Sequence, residues 1–158
     1  MSDTALVITV STRAAAGVYP DRSGPVVVEA LRDLGFLVGE PVLVPDGEAV
    51  RAALRAAVAD GHAVVITTGG TGLSPDDQTP EQTRAVLDRE VPQLAAAIAR
   101  YGVEHGVPTA ALSRGIAGIA GRTVIVNLPG SSGGARDGMA VLAPVLGHAV
   151  SQVRGGDH

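Results

Sequence analysis

Apolar and polar positions along the chain fall into two alternating kinds of run. Residues 6–10 (LVITV) form a continuous β-rich stretch, the pattern of a strand buried on both faces of a parallel sheet. The period then changes. Val27, Leu31 and Leu34 share one helical face, with Ser23 placed to cap the helix, Pro25 in its first turn and Gly35 at its stop. Residues 38–44 predict a second strand, at a sheet edge because of Pro41. Asp46 precedes a helix whose buried stripe is Val50, Leu54 and Val58 and which Gly61 ends. Residues 63–67 (AVVIT) predict the third strand. Thr79-Pro80-Glu81-Gln82 has the spacing of a capping box with proline at the first helical position. A helix follows over 91–101, a short strand over 109–112, a glycine-punctuated stretch over 114–122 and a last strand over 123–127 (TVIVN). Residues 135–153 predict helix kinked near Pro144, and 155–158 a loose tail.

Strands alternating with helices imply a three-layer α/β/α domain around a mostly parallel sheet. No repeat or long linker divides the chain, so residues 1–154 read as a single domain. Ligands of such sheets bind beyond the carboxyl ends of the strands. Those ends are Ser11-Thr12-Arg13, Asp46-Gly47, residues 67–72 and residues 127–131, where nearly all the glycine-rich and polar punctuation falls.

Composition narrows the chemistry available at that edge. Of 158 residues 46% are hydrophobic and 18% charged, which excludes a disordered chain. Cysteine is absent and all 12 basic residues are arginine, so disulfides, thiol nucleophiles, Schiff-base lysines and a Walker A lysine are excluded. His62, His105, His148 and His158 are spaced too widely for a local metal-ligand pattern. A net charge of −4, with Tyr19, Phe36 and Tyr101 as the aromatics, argues against a nucleic-acid partner. No apolar run approaches the roughly 20 residues of a membrane span. Met1-Ser2-Asp3-Thr4 leads straight into a strand without a secretory signal, so a cytoplasmic protein is expected.

Several motifs remain as candidates, each with a plainer alternative. Gly69-Gly70-Thr71-Gly72 follows a strand and suits close approach of backbone N–H groups to an anion, or simply a tight turn. Asp76 and Asp77 precede a helix, where they complement its dipole or hold Mg²⁺ beside a phosphate loop. Asp46 is a helix cap or a site carboxylate. Asn127, Pro129, Gly130 and Ser131 form a second strand-to-glycine-loop-to-helix element suited to an oxyanion. The same loop matches GxSxG through Ser132, but only 24 residues follow Gly134, too few for a hydrolase's acid and histidine on later strands. Arg13 and Arg114 can each clamp a phosphate, or lie solvated on the surface.

The segments VITVSTRAAAGVYPDRSG, VPDG, TTGGTGLSPDDQTPE and LSRGIAGIAGRTVIVNLPGSSGG resemble, in order and separation, the MogA/MoaB-type molybdenum cofactor biosynthesis proteins. That family includes the G domains of gephyrin and of a plant cofactor protein, and the resemblance covers nearly the whole chain. It implies an α/β/α fold whose mostly parallel sheet carries one antiparallel strand, usually assembled as a homotrimer. It also implies molybdopterin binding and, in the enzymatic branch, adenylylation of the molybdopterin phosphate with Mg-ATP. By motif, Asp46 and Asp77 become the catalytic or metal-linked aspartates, and Ser113 and Asn127 match substrate-contacting positions. Thr12, Arg13, Gly69, Gly70, Thr71, Gly72, Arg114, Pro129, Gly130 and Ser131 complete the expected substrate-binding set. Residues 69–72 are assigned to the nucleotide, and residues 127–131 with Ser113 to the pterin. A metal-insertion protein of the same pathway is an expected partner. The alternative is a non-catalytic molybdopterin-binding scaffold. Three departures stand out: Thr12 where the family often has aspartate, Asp76 where arginine is frequent, and residues 131–134, a loop that often continues with proline.

Overall fold

The computed structural model describes residues 3–156. Its central strand β1 (Thr4–Val10) pairs on one side with two short strands, β2 (Leu37–Val38) and β3 (Val42–Val44). On its other side come β4 (Val64–Thr68), β7 (Thr123–Leu128), β6 (Ala117–Ala120) and β5 (Arg89–Glu90), in that order. β6 runs antiparallel to both β7 and β5, and every other pairing is parallel. The sheet is therefore the mostly parallel one with a single antiparallel strand that the family resemblance implies.

Side chains alternate between two apolar layers. Val7, Val64, Ile66, Val124 and Val126 pack against α2 (Ser23–Asp33), α6 (Ser132–Leu142) and α7 (Leu146–Val153) through Val27, Leu31, Met139, Leu142 and Leu146. Ile8, Val65 and Ile125 face the opposite way, against Val50 and Leu54 of α3 (Glu48–Ala59). Burial on both faces explains why these strands read as unbroken apolar runs. The remaining helices are α1 (Thr12–Ala15), α4 (Thr79–Arg84) and α5 (Pro92–Glu104), with a 3₁₀ turn at Pro108–Leu112.

Where the structure departs from the pattern reading, local competition explains it. The strand expected over 38–44 is split at residues 39–41, since Pro41 has no N–H to offer a ladder. Ser23 does not cap α2. Its hydroxyl pairs with Thr68 Oγ1 at 2.8 Å, and Asp21 takes the cap role by accepting from Gly24 N at 3.0 Å. Leu34 is 39% exposed beyond the end of α2 rather than on its buried face. No capping box forms at α4, because Gln82 donates to Gln78 and accepts from Arg51 instead. Residues 109–112 lie within the 3₁₀ turn, opened by Pro108, and form no strand. The Pro144 region separates α6 from α7 outright, leaving two helices. β5 and β6 carried no β signal: Arg89–Glu90 is exposed and polar, and Ala117–Ala120 is alanine and glycine around one isoleucine. Pairing with β7 through a tight turn at Gly121 (φ +59°) holds β6 in the sheet. Of the expected tail, Gly155 and Gly156 donate to Gln152 O and Ser151 O, while Asp157 and His158 lie outside the described residues.

Candidate functional site

The carboxyl ends of β1, β3, β4 and β7 share one edge, and the site is assembled there. β4 runs into Gly69 and Gly70, both with positive φ (+93° and +70°), a conformation glycine adopts without steric cost. Gly69 N donates to Leu128 O at 3.0 Å, and a Cβ on Gly130 would stand 3.2 Å from Gly69 Cα. The two glycine loops therefore touch and form one wall between two clefts. The first, about 530 Å³, is lined by residues 69–73, Asp77, Ser113, Asn127 and Pro129, with Ile98 and Ala99 of α5 and Leu112 supplying apolar surface. The second, about 690 Å³, is lined by Thr9, Ser11, Tyr19, Asp21, Ser23 and Thr68. Gly69, Gly70, Gly130 and Ser131 line both. The residues expected for the nucleotide and those expected for the pterin thus stand side by side in one wall.

Two carboxylates converge beside this wall. Asp46, at the end of β3, accepts through Oδ1 from Gly47 N at 3.0 Å and from Gln78 N at 2.9 Å. It ties the β3–α3 turn to the start of α4 and makes no side-chain cap on α3, whose N-cap is Gly47. Partial burial pushes its pKa above the ordinary 3.8, two backbone donors oppose the shift, and the nearby Asp77 and Asp76 carboxylates add to it. Asp77 lines the first cleft and accepts from Ser74 N through Oδ2 at 3.0 Å. Each aspartate is thus fixed by backbone donors through one oxygen. Asp46 Oδ2 faces Gly70, where an added Cβ would lie 2.8 Å away, and 2.1 Å from Thr79 Oγ1. Thr79 Oγ1 is buried without a hydrogen-bond partner, beside these oxygens. This all-oxygen donor set fits a hard divalent cation such as Mg²⁺, which takes one or two protein carboxylates and completes its shell from phosphate and water. Among the described residues no group of three His, Cys, Asp or Glu side chains forms a self-sufficient metal cage.

Other expected site residues are placed differently from one another. Ser113 lines the first cleft, its Oγ accepting from Gly115 N at 3.3 Å. Asn127 borders the same cleft, but its amide is spent inside the fold: Oδ1 accepts from Ile116 N, and Nδ2 donates to Thr67 and Thr83 hydroxyls at 2.9 and 3.1 Å. Arg114, expected as a phosphate clamp, donates instead to Gly72 O, Asp77 O and the Glu81 carboxylate at 2.8, 2.8 and 2.6 Å. Arg13 stands exposed on α1, outside both linings. Thr12 Oγ1 accepts from Asp46 N at 3.3 Å. Gln78 and Glu81 were not read as part of the site because their partners, Asp46 and Arg114, lie 32 and 33 residues away. Among the described residues no histidine lines either cleft, so the hydrolase reading of Ser132 gains no support from geometry.

Residues 6–148 match the family described as "Probable molybdopterin binding domain". The chain belongs to this family. A molybdenum cofactor biosynthesis bifunctional protein of Synechococcus elongatus is 39% identical over 98% of this chain and 48% of its own length. The chain thus spans about half the length of such bifunctional relatives. A Pyrococcus furiosus protein named molybdopterin adenylyltransferase is 36% identical over 94% of this chain and 89% of its own. The solved molybdopterin biosynthesis Mog protein of Mycobacterium ulcerans is 53% identical, superposes with a TM-score of 0.91, and covers 96% of this chain and 99% of its own.

Within this chain the three sequence departures have definite surroundings. Thr12 supports the Asp46 backbone. Asp76 is exposed and adds negative potential at Asp46. Ser131, in the loop that lacks the proline, caps α6 by accepting from Gly134 N at 3.0 Å.

Proposed function

We propose that the protein transfers the adenylyl group of ATP to the phosphate of molybdopterin, releasing pyrophosphate. The observation that carries this reading is the convergence of Asp46 and Asp77, joined through Gln78 N, beside a wall of two glycine loops shared by two clefts. A wall with a cleft on each side suits two flat substrates joined through phosphates. The relatives' names agree with it.

The reaction requires an oxygen of the molybdopterin phosphate to bond to the α-phosphorus of ATP while the bond to the β-phosphate oxygen breaks. A phosphate monoester is largely dianionic near neutral pH, its second pKa being about 6, so the nucleophile needs no general base. Clefts in which no described residue is a lysine or histidine fit that requirement. What the site must supply is positive potential. Mg²⁺, when bound, neutralises charge on the phosphates. Asp46 and Asp77 would hold it. Backbone N–H groups of residues 70–72 and 130–131 and the positive end of α6 add fixed dipoles at the wall. Ser113, Pro129 and Gly130 form the side proposed for the pterin, and Thr71 and Gly72 line the same cleft. Arg13 and Thr12 stay at the rim.

In the same reading residues 1–154 act as one domain, and the protein works as a cytoplasmic homotrimer that hands its product to a metal-insertion protein. Exposed Leu37, Leu43 and Leu112, at 59%, 41% and 53%, favour assembly. No described helix is long and apolar enough to cross a membrane. Light scattering is expected to give a trimer mass at micromolar concentration, and a monomer mass would contradict assembly. Incubation of purified protein with molybdopterin, Mg²⁺ and ATP tests the activity. Adenylylated molybdopterin is expected by mass spectrometry, whereas bound but unmodified molybdopterin would establish a scaffold instead.

A further inference from the structure

We propose that Arg114 is a positioning residue: it fixes the loop that carries Asp77, and so the distance between that carboxylate and the Ser113 wall, without touching substrate. The loop over 72–77 has little else to hold it. Residues 73–76 are exposed, Leu73 by 64%, so no apolar burial anchors them. Helix α4, which follows, has no side-chain N-cap. Inside the loop the turn at 74–77 closes only on itself, through Ser74 N to Asp77 Oδ2 and Asp77 N to Ser74 O.

Arg114 reaches both ends of that loop at once. Nε donates to Gly72 O and Nη2 to Asp77 O, each at 2.8 Å, while its backbone N donates to Thr71 O at 2.8 Å. Nη1 pairs with Glu81 Oε2 at 2.6 Å in the first turn of α4, which orients the guanidinium plane. A planar fork serves three acceptors in fixed directions, whereas a lysine ammonium is a single flexible point charge. Arg114 also follows Ser113 directly, so one residue joins the two sides of the first cleft. Three of its five side-chain N–H groups are taken by protein acceptors, in directions set by the loop and α4.

This inference rests on the proposed adenylyl transfer for its kinetic readout and stands apart from it in two others. Arg114→Lys, Arg114→Ala and Glu81→Gln are compared with wild type in three measurements: steady-state kinetics, Mn²⁺ affinity by paramagnetic resonance with a non-hydrolysable ATP analogue, and amide exchange over 72–77. Arg114→Ala is expected to lower kcat by roughly 10²-fold, the scale of about a 1 Å misplacement at a catalytic centre. Millimolar guanidinium should restore part of that loss, and Arg114→Lys should fail nearly as badly. Both variants should bind Mn²⁺ more weakly and exchange the amides of Ser74 and Asp77 faster, with Glu81→Gln showing the same changes in smaller measure. Should Arg114→Ala not fold, Arg114→Lys and Glu81→Gln carry the comparison. An Arg114→Lys protein with wild-type kcat, or a loss confined to the KM for ATP, would assign Arg114 to phosphate binding and overturn the proposal. Unchanged exchange and Mn²⁺ affinity would overturn it too, even if wild type makes no adenylylated product, an outcome that would refute the proposed reaction alone.

Discussion

The β7–α6 and β4–α4 connections are both glycine-rich strand-to-helix loops, and they meet at one wall, yet they are held in opposite ways. The β7–α6 loop closes within itself: Ser131 accepts from Gly134 N at 3.0 Å, and Ala135 N returns to Ser131 O at 2.9 Å. The β4–α4 loop is closed at its base by Thr79 N to Gly70 O at 3.1 Å, but its outer part takes its fixed points from far along the chain. Asp46 holds Gln78 N, and Arg114 holds Gly72 O and Asp77 O. Self-contained turn chemistry gives a rigid cradle. Long-range staples instead place an acidic loop at a height that no local rule sets, and this is the loop carrying Asp77.

The sharpest break in that comparison is Asp77→Asn, which preserves shape and the acceptor for Ser74 N but removes one charge. If Asp77 holds the cation against the transition state, adenylylation should fall roughly 10²-fold, about 3 kcal/mol, with molybdopterin binding little changed. Asp76→Asn serves as its control, and its rate should stay near wild type or rise slightly. On the self-contained side, Ser131→Ala removes the α6 cap and should cost about 1 kcal/mol in denaturant unfolding. An equal drop in kcat would show that Ser131 does more than cap.

Smaller effects come from charge. Asp46 has its pKa raised, so the folded protein holds a proton that the unfolded chain has lost just above pH 3.8. Stability from this group is therefore lost as pH rises through that window. Asp46→Asn should leave the metal-free protein as stable at pH 7 or more so, by thermal melting, while weakening its cation affinity. Glu81 behaves with the opposite sign. The hydrogen bond from Arg114 lowers its pKa, so its contribution is present above the ordinary 4.5 and lost as pH falls below it. The pair is half exposed, so Glu81→Gln should change stability by less than about 1 kcal/mol. Loss of several kcal/mol would mean that the loop is part of the cooperative core.

The same contrast governs what could be read from the chain. The β-rich runs that became β1, β4 and β7, the Val50–Leu54 stripe of α3 and the stop at Gly35 follow from period and composition, because both faces of the sheet are covered. The edge bearing the site was legible from glycine placement after those strands. The Ser23 cap was misread because Asp21, two residues earlier, accepts from Gly24 N and from Thr9 Oγ1 at 2.8 Å, while the Ser23 hydroxyl pairs with Thr68. β5 and β6 were invisible because pairing, of β6 with β7 and of β5 with β6, makes them strands rather than their own propensity. Asn127 was placed at the edge and Arg114 after a strand that is instead a 3₁₀ turn, and the side-chain partners of both lie on segments that meet only in the fold.

The proposed reaction predicts which phosphorus atom moves. Wild-type protein given molybdopterin, Mg²⁺ and ATP labelled separately at the α- or the γ-phosphate should yield pterin product carrying the α label, with the γ label recovered in pyrophosphate. A product carrying the γ label would make the protein a kinase, and molybdopterin recovered with neither label would make it a binding domain without transfer chemistry. Either result would contradict adenylyl transfer at the Asp46–Asp77 wall.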